Sequence, residues 1–260
     1  MNKKSQVSFL ALAICLPSIA LATEKIDRVS FFKKCEQTVK SKRSFTALDR
    51  EEMRTFKLDN RILNGSGRQG INYIFDEIER VPHRTSNLKQ VAYVIGTAYR
   101  ESEGSMLSTT KEKLWCLTEE SCRAMGKELK KYAKIDPKTN KNYVGRGYAQ
   151  LTWSENYLKF GKLLSLTPNT ALYINPDLAM DPEIAARILT IGMYRGEFTK
   201  YKLENFFSNS KEEWIKARKI VNPHSPRAHV TAGYGMLFYE CLGGKPEISE
   251  DTEGKLVWPG

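Results

Sequence analysis

The residues best suited to chemistry fall in two stretches. In the first, Val91, Val94, Ile95, Ala98 and Tyr99 recur at helical spacing from about Asn87 onward, and Glu101 follows Val94 by seven residues and Ala98 by three. That spacing predicts a helix with the Glu101 carboxyl on its apolar side, close to its end. A carboxyl partly withdrawn from water keeps its proton to higher pH, which is what a general acid needs near neutrality. The structural alternative for the same residue is an ion pair with Arg100 or Arg146. The second stretch, Tyr143 to Tyr157, reads YVGRGYAQLTWSENY. Gly145 and Gly147 suit a tight turn and a close approach of backbone to a ligand. Gln150 and Asn156 offer amides, and Thr152 with Glu155 fits a capping box for a helix through Tyr157, Leu158 and Leu163.

Four segments in fixed order add to this reading. Gly145-Arg146-Gly147-Tyr148-Ala149-Gln150-Leu151-Thr152, continuing to Asn156-Tyr157, resembles the central signature of the family 19 chitinases and the related phage-type endolysins. The segment from Gln90 to Ser102 resembles the helix that carries the family's catalytic acid, with Glu101 at that position. Asn175-Pro176-Asp177-Leu178 onward, and Ala217 to Asn222, resemble further family segments, so the likeness spans roughly Ile71 to Leu242. It implies a mainly α, lysozyme-like helical domain with a substrate cleft.

It also implies an inverting glycoside hydrolase. In that chemistry one carboxylic acid protonates the leaving oxygen, and a second carboxylate about 6.5–9.5 Å away activates a water. The resemblance gives Glu101 the acid role, Glu112 the second carboxylate, and the Thr152 hydroxyl the holding of the attacking water. It makes Gln150, Asn156, Asn222, Arg146 and Tyr148 substrate-binding residues, with a buried structural ion pair as the alternative for Arg146. Three departures stand out. The loop from Ser105 to Glu112 diverges, Arg100 stands where the family usually has histidine, and Pro223-His224 replaces the usual glycines. Adjacent helix positions diverge by about 100°, so Arg100 is expected to point away from Glu101.

The elements that must position these residues are mostly helical, because strict alternation is scarce along the chain. Asp181-Pro182-Glu183 is an N-terminal helix signature ahead of Ile184, Ile188 and Ile191. Ser210 with Glu213 predicts a second helix start before Trp214, and Ser225-Pro226 a third that Gly243-Gly244 closes. Two weaker amphipathic stretches, around Phe31 to Val39 and Leu48 to Phe56, predict a short N-terminal helical extension. The expected organisation is a signal peptide over 1–22, extension and linker over 23–67, the main domain over 68–244, and a polar tail over 245–260. Asn64-Gly65-Ser66-Gly67 supplies the linker.

The leader is expected because Lys3 and Lys4 precede an apolar run that ends at Ala20-Leu21-Ala22. Removing those 22 residues, which hold two lysines and no acid, would leave 238 residues and lower the formal charge from +11 to +9. A secreted product, periplasmic or extracellular, would carry Cys35, Cys116, Cys122 and Cys241. That even set in an oxidising compartment predicts disulfides. Cys116 with Cys122 closes a small loop and leaves Cys35 with Cys241. A zinc site fits less well, since the spacing is not C-x₂-C and His83, His224 and His229 lie apart from the cysteines.

No metal or cofactor is therefore expected. The basic charge favours polyanions, and for an exported protein that means peptidoglycan or an acidic glycan before nucleic acid. Peptidoglycan or chitin strands are the expected partners, with a proteinaceous inhibitor as a further one and no membrane contact after cleavage. Chitin remains the alternative substrate. A cell-wall-binding protein without activity on the same scaffold is the alternative class, which the altered loop and Pro223 permit.

Overall fold

The computed structural model describes residues 25–49 and 51–247, and the backbone of 249–250 and 256–257. The expected leader lies outside them. Eight α-helices are described: α1 (Arg28–Lys40), α2 (Gly65–Glu79), α3 (Leu88–Glu101), α4 (Glu119–Ala124), α5 (Ser154–Leu163), α6 (Ala171–Ile174), α7 (Pro182–Arg195) and α8 (Ala228–Cys241). The strands are short: β1 (Ser44–Asp49), β2 (Glu52–Lys57), β3 (Phe207–Ser208), β4 (Lys211–Glu212), β5 (Ser249–Glu250) and β6 (Leu256–Val257). The fold is mainly α, as the periodicity predicts.

The helix signals translate into caps. Asn87 accepts from the backbone N–H of Gln90 at 3.2 Å to start α3. Asp181 accepts from Glu183 and Ile184 N–H at 3.1 and 3.0 Å, with Pro182 in the first turn of α7. These bonds satisfy donors that an uncapped helix leaves orphaned.

α3 is the centre of the molecule. All nine residues from Val91 to Tyr99 are buried, not only the predicted stripe, and a helix covered on every side belongs to the core. α8 packs along it so closely that a Cβ added at Gly96 would stand 2.5 Å from the backbone nitrogen of Gly235. Side chains then close around the crossing. Tyr93 and Phe207 pack on Trp214, and Tyr99 meets Tyr234 and Phe238 edge to face.

Four expectations change. Leu48 to Phe56 forms the β1–β2 hairpin and not a helix, with Phe45 opposite Phe56 and Leu48 opposite Met53. The reason is tertiary. Phe45 is fully buried, and its ring lies 2.4 Å from where a Cβ on Gly233 would stand. The polar tail does not stay apart, because its β5–β6 pair joins this sheet, Leu256 beside Phe45, in the order β2-β1-β6-β5. Asn64-Gly65-Ser66-Gly67 is not a linker but the start of α2, where the Asn64 side chain accepts from Gly67 N–H at 2.7 Å. Ser210 and Glu213 cap no helix. Ser210 sits at the turn between β3 and β4, and Glu213 is held by Lys211 and Lys216 at 2.8 and 2.6 Å.

Both expected disulfides are formed, Cys35–Cys241 and Cys116–Cys122. The first ties α1 to the end of α8, beside Phe31, which packs on Phe75 and Phe238. The N-terminal segment and the rest of the chain therefore share one buried cluster, running from Phe31 to Cys241. Because side chains at the α3–α8 crossing have nowhere to go, Gly96→Val should destabilise the fold by about 1–3 kcal/mol through overpacking. Urea unfolding checks this, and an unchanged midpoint would contradict the close crossing.

Candidate active site

α3 leaves the core only at its last residues. Glu101 ends it and enters the wall of a cleft of about 1400 Å³. The same cleft is lined by Glu112, Gln150, Thr152, Asn156 and Asn222, which the chain contributes from three separate segments. Six of the eight predicted site residues thus share one cavity.

The two carboxylates are held in different ways. Glu101 is mostly buried, and its Oε1 lies 2.7 Å from Nη2 of Arg218, itself buried on the short turn Lys216–Ile220. The contact is an ion pair whose angle is too poor for a hydrogen bond, so Glu101 Oε1 and the Arg218 Nε and Nη1 have no hydrogen-bond partner among the described residues. A buried carboxylate needs such a counter-charge. The partner is neither Arg100 nor Arg146. Arg100 does not turn away as expected, because it lines the cleft beside Glu101 and approaches it electrostatically.

Glu112 sits on the diverged loop, and the glycine turn of the second stretch fixes it. Its backbone N–H donates to Gly145 O at 2.8 Å, and Gly145 N–H donates to its Oε2 at 3.2 Å. Gly147 N–H and the Gln150 side-chain amide both donate to Thr110 O at 3.0 Å. A side chain at Gly147 would strain the backbone and strike Ala179 O, whereas one at Gly145 would have to displace the end of Gln150. A Cβ on Gly145 would stand 2.7 Å from Gln150 Oε1, and Gly147 has φ +72°.

Lys130 Nζ and the Tyr132 hydroxyl also donate to Glu112 Oε1, at 2.7 and 2.9 Å. Burial alone pushes the Glu112 carboxyl up. The Lys130 ammonium, the Gly145 N–H and the Tyr132 hydroxyl together outweigh it and hold the carboxyl below its ordinary value.

Arg146 and Tyr148 are corrected. Both are buried behind the cleft wall, 3% and 1% exposed, and reach no open space for a substrate. Arg146 holds Asp177 at 2.7 Å and donates to Val144 O and the Tyr157 hydroxyl at 3.0 and 3.2 Å. It is the structural ion pair under the turn. Burial pushes the Tyr148 phenol well above its usual range, and Ser108 hydrogen-bonds it there. Thr152 and Glu155 form no capping box, since the residue capping α5 is Trp153, with φ 72° and no side-chain cap. Thr152 instead lines the cleft with its hydroxyl outside any cap, while its carbonyl accepts from Asn156 Nδ2 at 2.9 Å.

Sequence reasoning passed over two features. Arg218 lies between Lys216 and Lys219, and nothing in that basic run marks one cation as buried. Trp115 and Trp153, 74% and 43% exposed, line the cleft with Tyr132, whose ring meets Trp153 edge to face at 5.3 Å. The available signal was two tryptophans outside any helical apolar period, Trp115 between Leu114 and Cys116 and Trp153 between Thr152 and Ser154.

No family model matches the chain, and no curated protein matches it. Among solved structures it is similar to chitinase C from Streptomyces griseus HUT6037, at 14% identity over 85% of this chain and 77% of that one, with a TM-score of 0.48. It is also similar to a chitinase C mutant, at 15% identity over 85% of this chain and 93% of that one, with a TM-score of 0.39. Likeness at this level assigns neither an activity nor a role to any residue.

The Glu112 cluster makes a pH prediction. In a carbon-13 titration the carboxyl should have its midpoint below the ordinary 4.5, and Lys130→Met should move that midpoint upward. A folded carboxyl with a depressed value adds stability above the unfolded value, and loses it as pH falls through the folded one. Lys130→Met should therefore destabilise the protein at neutral pH and have no effect in acid below both values.

Proposed function

We propose that the protein is a glycoside hydrolase that cuts β-1,4 bonds of an amino-sugar polymer, with peptidoglycan as the substrate. The observation that carries this reading is the meeting of Glu101 and Glu112 in one long cleft, together with Thr152 and the amides Gln150, Asn156 and Asn222. Glu101 donates its proton to the leaving glycosidic oxygen. Glu112, held as a carboxylate by Lys130, Tyr132 and Gly145, draws a proton from the attacking water. The Thr152 hydroxyl, which no helix cap uses, orients that water.

Trp115, Trp153 and Tyr132 offer apolar faces for sugar rings. Arg218, which lines the same cleft, fixes the Glu101 carboxyl through Oε1 at 2.7 Å, and the proton passed to the leaving oxygen is carried on Oε2. The expected leader, the basic charge and the two disulfides support export to the cell wall. Chitin is the second reading. The specific observation in its favour is the resemblance of the Tyr143 to Tyr157 stretch to the chitinase signature.

The test is to incubate the chain from Thr23 onward with purified peptidoglycan and with chitin oligomers, and to identify new sugar ends by mass spectrometry. Glu101→Gln should lower kcat by about 10²–10⁴-fold, the usual contribution of a general acid. Trp153→Ala should act mainly on KM, roughly tenfold, as expected for about 1.4 kcal/mol of lost ring contact. Release of no fragment from either polymer, or full activity in Glu101→Gln, would overturn the reading.

A further inference from the structure

Arg100, near the end of α3, is the one half-buried cation of the cleft without a hydrogen bond or ion pair among the described residues. Burial pushes its pKa below the usual arginine value, and the neighbouring Arg227 and Arg218 push the same way, against Glu101. An arginine partly withdrawn from water without a partner is costly to hold. Its neighbours do have partners. Arg218 pairs with Glu101, Arg227 with Asp49, and Arg61 with Asp59 at 3.1 Å.

Arg100 also stands where two cavities meet. It lines the long cleft and, with Arg61, Glu103 and Arg227, a side cavity of about 310 Å³ that runs toward the β1–β2 hairpin. The side cavity holds two acids already paired, Asp49 and Asp59, and one exposed acid, Glu103. In the long cleft six cations (Arg61, Arg100, Lys111, Lys113, Arg218 and Arg227) face three acids, Glu101, Glu103 and Glu112. Arg61, Lys111, Arg218 and Arg227 are paired with Asp59, Asp177, Glu101 and Asp49, which leaves Arg100 and the exposed Lys113 as the cations that a neutral glycan could not answer.

We infer that the side cavity beside Arg100 is a subsite for a carboxylate carried by the glycan, with the free guanidinium as its ligand. A planar guanidinium suits a carboxylate in a forked pair. The chemistry is that of the lactyl carboxylate on an N-acetylmuramic residue freed of its stem peptide, a group that N-acetylglucosamine lacks. This rests on the glycan-hydrolase reading for the position of the sugar chain, and it names what within the cleft selects an acidic strand over a neutral one. Arg100 acts here in binding, not in bond cleavage.

The test uses soluble peptidoglycan strands freed of their stem peptides, the same strands with their lactyl carboxylates amidated, and a chitin tetramer. Binding is measured by calorimetry to the Glu101→Gln protein, so that the strands persist. The carboxylate form should bind at least about tenfold tighter than the amidated form, as a charge-assisted forked pair provides. The preference should shrink with added salt, and Arg100→Gln should abolish it. The first two measurements need no change at Arg100, so a misfolded Arg100→Gln would not leave the matter undecided. Equal binding of the two forms, or no binding of the carboxylate form, overturns the subsite. Cleavage assays on the unsubstituted protein report separately: hydrolysis of both polymers without carboxylate preference would keep the hydrolase reading and remove this one.

Discussion

Where α3 crosses α8, Gly96 and Gly235 bring two backbones nearly into contact, and much of the molecule takes its position from that crossing. The absence of side chains at this point lets the aromatic residues on either side, Tyr93 and Trp214 on one and Tyr99, Tyr234 and Phe238 on the other, close around both helices. α3 is then covered on all sides and cannot rotate or slide without opening the core. Its last turn emerges at one defined place. Glu101 inherits that rigidity, which a loop residue would lack.

Glu112 reaches the same cleft by the opposite means. Its segment has no regular structure of its own, so its place is set by bonds to the glycine turn from Gly145 to Gln150. That turn rests in turn on buried Arg146, which pairs with the exposed carboxylate of Asp177. The stretch that first drew attention as a source of substrate contacts is therefore largely a brace. Its glycines and Gln150 hold the opposite carboxylate, and Arg146 and Tyr148 lie beneath them out of reach.

How much of this was legible in the sequence follows from the range of the forces involved. Helix starts at Asn87 and Asp181 depend on side chains three residues away and were readable. The position of Glu101 on the apolar side was readable because one helix fixes it. The hairpin from Ser44 to Lys57 was not, since its strands are decided by the burial of Phe45 against Gly233, a partner nearly two hundred residues on. The same holds for Ser210 to Trp214, where packing of Trp214 on Tyr93 overrides a local capping signal. Arg218 and the tryptophans of the cleft were hidden for a related reason, because a basic run or a lone aromatic says nothing of which cavity it will face.

The bridge between Cys35 and Cys241 joins positions 206 residues apart, and every residue lining the cleft lies inside the covalent ring it closes. The stretch carrying Trp115, Leu117 and Met125 is the most exposed apolar part of that ring. A protease that cuts there would open the chain without releasing either piece. The nicked molecule would travel as one species until a reductant parted it, with the two carboxylates still held to a single body by sulfur and by the core around α3 and α8.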